Sequence, residues 1–426
     1  MYKKISISIV TLLCLVLLAY ANKDAYPIDG YSSTGIKRLL RLEHIAADTS
    51  QTLNLPAGAL LPVNCIELNL TERQDDSLSV LLEEDKEFAE KIKAAIPRGN
   101  YSVTVMDMTD PNNLKYASHK AEIGYQPGSV GKLSVITALF DQLNKLCPES
   151  WDARVALLKN KKVRAGDWAI YDHHTIPDYE PETDKFTKRK VVPNDVFSLY
   201  EWADHMMSVS NNGAASIVWR EALLMAAFGD AYRNLTQEEA DAYFKNTPKK
   251  EITLLANKIV NEPLRKVNIG HDEWRLGSFF TSGANKYVND YGGSIGTPLG
   301  LMKYMVQLEQ GNIVDEASSL EIKRLLYLTD RRIRYAYSKE LKDAAVYFKS
   351  GSLYSCDRSN GKTCGEYAGN VYNYMNSVAI VEHPQGKKYI VALMTNVLRK
   401  NSAWDHMVLA SQLDKIITAE DKNQSL

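Results

Sequence analysis

Gln126-Pro127-Gly128-Ser129-Val130-Gly131-Lys132 joins a turn to a helix. Pro127 and Gly128 interrupt what precedes them, and from Ser129 to about Leu146 the chain reads as an apolar helix. Ser129 then stands at the helix N-terminus and Lys132 one turn on, on the same face. A serine hydroxyl attacks poorly until a base takes its proton. A lysine serves when burial and cationic neighbours lower its pKa. The helix N-terminus adds a free backbone N–H for an oxyanion. By itself S-x-x-K is weak evidence, because a chain of this length holds about one or two by chance. Ser359-Asn360-Gly361-Lys362 is another match; no apolar periodicity follows it, and it reads as accidental.

Working outward, 101–107 alternates as a strand with Val103 and Val105 on one face, Asp110-Pro111-Asn112-Asn113 turns, and 114–119 returns as a second strand. Ahead of this hairpin, 79–96 has helical spacing (Val80, Leu81, Phe88, Ile92 and Ala95 on one side), ended by Pro97 and Gly99. Residues 22–80 carry Gly30, Gly35, Pro56, Gly58 and Pro62 and read as a wrapping extension with a short helix at 35–44. Downstream, 151–335 is mostly helical, with helices expected at 196–208, 214–228, 237–244, 251–260, 298–310 and 319–329. Polar stretches interrupt it at 159–194 and 264–297. Strand signals return at 345–354, 377–382 and 389–395, and a last helix covers 402–418. Two strands, a helical middle, three strands and a closing helix make an α+β plan, in which the late strands join the early ones only through long-range contacts.

Two further motifs lie in this plan. Ser210-Asn211-Asn212 follows an apolar helix and precedes Gly213-Ala214-Ala215; alone it reads as a helix end and a new N-cap. Lys349-Ser350-Gly351 lies on the 345–354 strand. A lysine there is usually an edge residue facing solvent, but the glycine beside it allows close approach of a substrate backbone.

S-x-x-K at a helix start, S-x-N in a helical region and K-[ST]-G on a late strand, in that order, resemble the serine β-lactamase and penicillin-binding protein superfamily, and most of all its class A enzymes. Gly296-Thr297-Pro298-Leu299 with the helices after it, and Arg332-Ile333-Arg334 before the Lys349 strand, extend the resemblance over about 85–420. It implies a five-stranded antiparallel sheet flanked by helices, with an all-helical subdomain at about 130–335 inside a catalytic domain at 81–420. It also implies roles. Ser129 is the nucleophile and Lys132 its base or proton relay. Ser210 passes a proton to the leaving nitrogen, with Lys349 supplying positive potential. Asn212 holds the substrate amide, Ser350 the substrate carboxylate, Gly351 gives room, and the N–H groups of Ser129 and Ser352 form the oxyanion hole. The substrate is a β-lactam or a cell-wall peptide ending in D-Ala-D-Ala.

The sequence departs from the class A pattern at deacylation. Class A enzymes carry an E-x-x-x-N glutamate about 17 residues before the Pro of the Thr-Pro element. Counting back from Pro298 gives Thr281, with Asn285 four residues on, and no Asp or Glu occurs between Trp274 and Val288. Either Glu273 reaches the site through a rearranged loop and turnover is efficient, or the hydrolytic base is missing and the acyl-enzyme is long-lived. A catalytically silent cell-wall binding protein and an esterase are the competing classes; the intact motifs and the S-x-N triplet speak against them.

The chain start reads as an address. Lys3 and Lys4 precede an apolar run at 5–18 and the small-x-small site Ala19-Tyr20-Ala21, which makes 1–21 a secretory signal rather than a membrane anchor. The run falls short of the ~20 residues a span needs. An exported, most plausibly periplasmic protein without a membrane span after cleavage is expected. Of the remaining cysteines, Cys356 and Cys364 bracket a turn-rich segment and are the expected disulfide, with Cys65–Cys147 following by elimination. Asp172-His173-His174 reads as a polar loop, and no metal or organic cofactor is expected. The 426-residue chain has 51 basic and 52 acidic residues. Such a balance argues against a nucleic-acid partner.

Overall fold

The computed structural model describes residues 30–50, 58–59, 65–359, 361 and 363–419; the expected signal sequence lies outside the described residues. Its centre is an antiparallel sheet of five strands: β1 (Tyr101–Asp107), β2 (Lys115–His119), β5 (Ala345–Ser355), β6 (Tyr372–Glu382) and β7 (Lys388–Asn396), in the spatial order β2-β1-β7-β6-β5. A separate hairpin, β3 (Thr175–Glu180) and β4 (Lys185–Lys190), accounts for the two labels between. The register closes the sheet across nearly three hundred residues, with Val103 opposite Leu393 and Val378 opposite Lys349.

Both faces of the sheet are covered, so its strands alternate between two cores. Val103, Val105, Phe348, Val391 and Leu393 pack on one side. They meet α2 (Lys86–Ala95), through Phe88 and Ile92, and the last helix, α11 (Ala403–Ala419), through Leu409, Leu413 and Ile417. Met106, Tyr347, Val378, Ile390, Ala392 and Met394 face the larger core. That core holds α3 (Lys132–Leu146), α5 (Leu199–Ser208), α6 (Asn212–Phe228), α8 (Lys249–Lys266), α9 (Pro298–Glu309) and α10 (Glu316–Tyr327). Helices α3 and α6 are buried on nearly every side, as interior helices must be. Helices α1 (Lys37–Ala47), α4 (Trp151–Asn160) and α7 (Gln237–Asn246) add Leu39, Leu158 and Phe244 to that core.

Several expected elements differ in detail. The single helix expected at 79–96 is split, because Glu84 bridges to Tyr116 and Asp85 caps α2 by accepting from Phe88 N at 2.8 Å. The helix expected from 196 begins at Leu199, since Val196–Ser198 pair with Lys162–Arg164 and Ser198 forms a capping box with Glu201. The polar 159–194 stretch holds the β3–β4 hairpin. Its Tyr179 is buried and reaches His44 of α1 at 2.7 Å.

The segment before the catalytic motifs clamps both halves. Arg38 on α1 makes two 2.7 Å bonds to Asp204 on α5, with both side chains buried. Gly58 exchanges backbone hydrogen bonds with Lys342 and with Val346 at the start of β5. Asn69 joins a buried cluster in which Lys323 pairs with Glu309 and Glu382 at 2.7 Å each.

Cys356 and Cys364 form the expected disulfide. The second expected pair does not exist: Cys65 and Cys147 are both free. Cys65 is exposed, whereas Cys147 is buried at the end of α3 and its sulfur accepts from Arg233 at 3.1 Å. Disulfide formation requires adjacent Cα atoms with converging side chains, which a count of cysteines cannot supply.

Candidate active site

Ser129 lies in a 3₁₀ turn, Gly128–Gly131, that runs straight into α3, so the helical spacing survives although the α-helix proper starts at Lys132. Lys132 is fully buried and its Nζ donates to Ser129 Oγ at 3.0 Å, to Ser210 O at 2.6 Å and to Asn212 Oδ1 at 2.7 Å. Burial pushes its pKa down to about 7; Asp172 opposes this and Arg331 adds to it. The amine therefore carries a usable free-base fraction at neutral pH.

Ser210 sits between α5 and α6 with a left-handed backbone (φ 62°), uncommon for a residue other than glycine. The bend is held from both sides. Asn211 caps α6 by accepting from Ala214 N at 2.7 Å, and Asp172 accepts from the N–H groups of Asn212 and Gly213 at 2.7 and 3.0 Å. Lys349 Nζ donates to Ser210 Oγ at 2.8 Å. Although β5 is an edge strand, Lys349 falls on the Tyr347 face, against the helices, and is buried rather than solvent-facing. Burial first, then Lys132, Arg331 and Arg334, hold its pKa well below the usual lysine range.

Two glycines set the gap between turn and strand. A Cβ on Gly351 would stand 2.3 Å from Pro127 O and 2.7 Å from Ser129 N. One on Gly128 (φ +54°) would stand 2.8 Å from Ser352 N. Glycine at both positions brings the Ser129 and Ser352 amides to opposite walls of one narrow space. Asn376 on β6 fastens the turn by donating to Gln126 O and Pro127 O at 2.9 and 3.0 Å.

These residues open into a cleft of about 450 Å³ lined by Ser129, Ser210, Asn212, Ser350, Gly351 and Ser352. Its other walls were not read from the sequence. Arg334, also left-handed (φ 57°), donates to Gly351 O at 2.9 Å and Ser352 Oγ at 3.1 Å. Burial lowers its pKa to about 10. Glu366 and Tyr367, just beyond the disulfide, and His173 and His174 also line it. The histidines stand in the stretch read as a polar loop; no periodicity marks a loop residue that tertiary folding turns inward.

The place of the expected glutamate holds a hydroxyl and an aromatic neighbour rather than a carboxylate. Thr281 is buried and donates to Trp168 O at 2.6 Å, and its neighbour Phe280 sets its ring 5.1 Å from Lys132 Nζ. Glu273 is not brought there: it accepts from Gly270 N at 2.6 Å, pairs with Lys303 on α9, and is not among the cleft-lining residues.

An antiparallel sheet packed on a helical layer, with an S-x-x-K turn at their junction, defines the serine hydrolases of the β-lactamase type. The sequence profile of the Beta-lactamase enzyme family matches residues 86–413, and the chain belongs to that family. Among solved structures it resembles a class A β-lactamase from Bacteroides cellulosilyticus DSM 14838 (16% identity, 80% of this chain and 99% of that one, TM-score 0.51). It also resembles the TLA-3 extended-spectrum β-lactamase (13%, 78% and 98%, TM-score 0.52) and a β-lactamase from Chitinophaga pinensis DSM 2588 (15%, 79% and 98%, TM-score 0.50). At such identities these likenesses speak for the fold. A search of curated proteins gives no match. No helix among the described residues is long and apolar enough to cross a membrane.

Proposed function

We propose that this protein is an exported serine hydrolase whose Ser129 is acylated by β-lactams or by cell-wall peptides ending in D-Ala-D-Ala, and whose acyl-enzyme is released slowly by class A standards. The observation that carries this reading is the 3.0 Å contact between Ser129 Oγ and a buried Lys132 whose pKa falls to about 7. Lys132 takes the Ser129 proton as Oγ attacks the carbonyl carbon, and the N–H groups of Ser129 and Ser352 stabilise the oxyanion. The leaving nitrogen takes its proton through Ser210, fed by Lys349 and Lys132. Asn212 holds the substrate amide. Ser350, beside Lys349, holds the substrate carboxylate.

Slow release is supported by the Phe280–Thr281 surface under Lys132, where water finds no carboxylate. An efficient enzyme working through Glu273 is disfavoured by that residue's pairing with Lys303. A silent binding protein is disfavoured by the intact hydrogen-bond chain from Lys349 through Ser210 to Lys132. The catalytic unit is taken as 81–420, with 130–335 its helical part and 22–80 a clamp around it. Export to the periplasm is supported by the 1–21 pattern and by the Cys356–Cys364 disulfide. Intact mass spectrometry with penicillin over time tests the reading: an adduct on Ser129 that outlasts mixing by minutes is expected, and no adduct at any time overturns it.

A further inference from the structure

We propose that His174, held in place by Asp172, is the general base that releases the acyl group from Ser129. This rests on the reading of Ser129 as the acylated residue.

The Asp172 carboxylate accepts four N–H groups: His174 Nδ1 at 2.6 Å, His174 N at 3.1 Å, Asn212 N at 2.7 Å and Gly213 N at 3.0 Å. These contacts hold the carboxyl below the usual range although burial opposes them. An ionised carboxylate only accepts, so Nδ1 carries the shared hydrogen and Nε2 is left with its lone pair. The ring's hydrogen bond among the described residues is at Nδ1, not Nε2, and His174 is among the residues lining the cleft that Ser129, Ser210 and Asn212 line. The groups facing it are Asp172, His173 (ring centroids 4.2 Å apart) and Lys132, with Arg331 on the same cleft wall. Burial lowers the His174 pKa, helped by Lys132 and His173 and opposed by Asp172, so the ring is neutral at pH 7. An oriented, neutral imidazole is thus presented to a site whose usual carboxylate is absent.

Asp172, His173 and His174 are also close enough together to suggest a metal site. The four hydrogen bonds occupy the carboxylate's lone pairs, which leaves no oxygen to ligate. In the proposed step a water O–H proton passes to Nε2 while the water oxygen bonds to the acyl carbon. The tetrahedral adduct then collapses, the bond from that carbon to Ser129 Oγ breaks, and Oγ recovers the proton from Nε2. No co-reactant is required.

The test follows the penicillin adduct by intact mass in wild type, His174→Gln and His173→Gln. In His174→Gln the adduct should form within a few-fold of the wild-type rate and decay at least tenfold more slowly. The wild-type decay rate should fall as pH is lowered through the acid range, and His174→Gln should lose that step. His173→Gln should keep the pH step, moved to higher pH, because His173 helps to lower the His174 pKa. Equal decay in His174→Gln, a pH step that survives the substitution, loss confined to His173→Gln, or decay abolished by a chelator each overturns the inference. Absence of any adduct in wild type removes the Ser129 reading itself, and this inference with it.

Discussion

Lys132 Nζ and the Phe280 ring lie 5.1 Å apart, so the amine that touches Ser129 rests on an aromatic surface where class A resemblance calls for a carboxylate. In the proposed mechanism acylation draws on Ser129, Lys132, Ser210 and Lys349. Release needs a base for water, and a positioned base typically contributes about 10²–10⁴-fold. With His174 recovering part of that contribution, penicillin hydrolysis should be slower than in an ordinary class A enzyme by less than the full factor, with the adduct still visible by mass. Glu273→Gln should leave both adduct formation and decay unchanged. Fast turnover that this substitution slows would restore Glu273 as the base.

Covalent labelling should depend on one serine. Ser129→Ala should abolish labelling by a fluorescent penicillin, whereas Ser359→Ala should label as wild type does. Ser129 sits at the start of an apolar helix with the buried Lys132 within hydrogen-bond distance. Gel fluorescence decides it, and a labelled Ser129→Ala protein would move the nucleophile elsewhere.

The pH dependence of acylation follows from Lys132. In the proposed mechanism its free amine is the base, and its pKa is pushed down to about 7, so protonation removes that base as pH falls. The acylation rate should level off above about pH 8 and fall roughly tenfold per unit below about pH 6. Stopped-flow measurement with a chromogenic β-lactam reads this directly. A flat profile between pH 5 and 8 contradicts a titrating Lys132.

Reduction should loosen one wall of the cleft. The Cys356–Cys364 bridge closes a loop that ends just before Glu366 and Tyr367 of the cleft lining, and Tyr367 lies under the Arg334 guanidinium at 5.3 Å. Breaking so short a loop should cost about 2–3 kcal/mol in denaturant unfolding and weaken penicillin acylation. Peptide mapping should find Cys65 alkylated in the native protein and Cys147 only after unfolding, in line with their exposure.

The Arg38–Asp204 pair should bind the N-terminal segment to the helical layer. Both side chains are buried, at 6% and 0% exposure, so Arg38→Ala leaves Asp204 charged without its partner. The expected loss is about 3–5 kcal/mol, read from the shift of the urea midpoint. The double substitution Arg38→Met, Asp204→Leu should recover much of it, because it removes both charges. A loss under about 1 kcal/mol would show that the segment is not energetically coupled to α5.

Local pattern determined much of this protein. Alternation in 101–107 and 389–395 and the apolar runs of α3, α6 and α9 are short-range signals, and the sheet and helical layer follow from them. The motifs at Ser129, Ser210 and Lys349 were legible because each holds its residues at a fixed short spacing. Tertiary structure alone decided which of them meet. Lys349 and Ser210 are 139 residues apart in sequence and 2.8 Å apart in space, and the inward face of Lys349 depends on strand register. It also decided that Cys65 and Cys147 stay free, that Glu273 pairs with Lys303, and that Phe280 takes the carboxylate's place. His174 shows the reason most plainly. A loop residue gains its surroundings from elements distant in sequence, here Asp172 bonded to the start of α6 across 40 residues, and no local spacing encodes that contact.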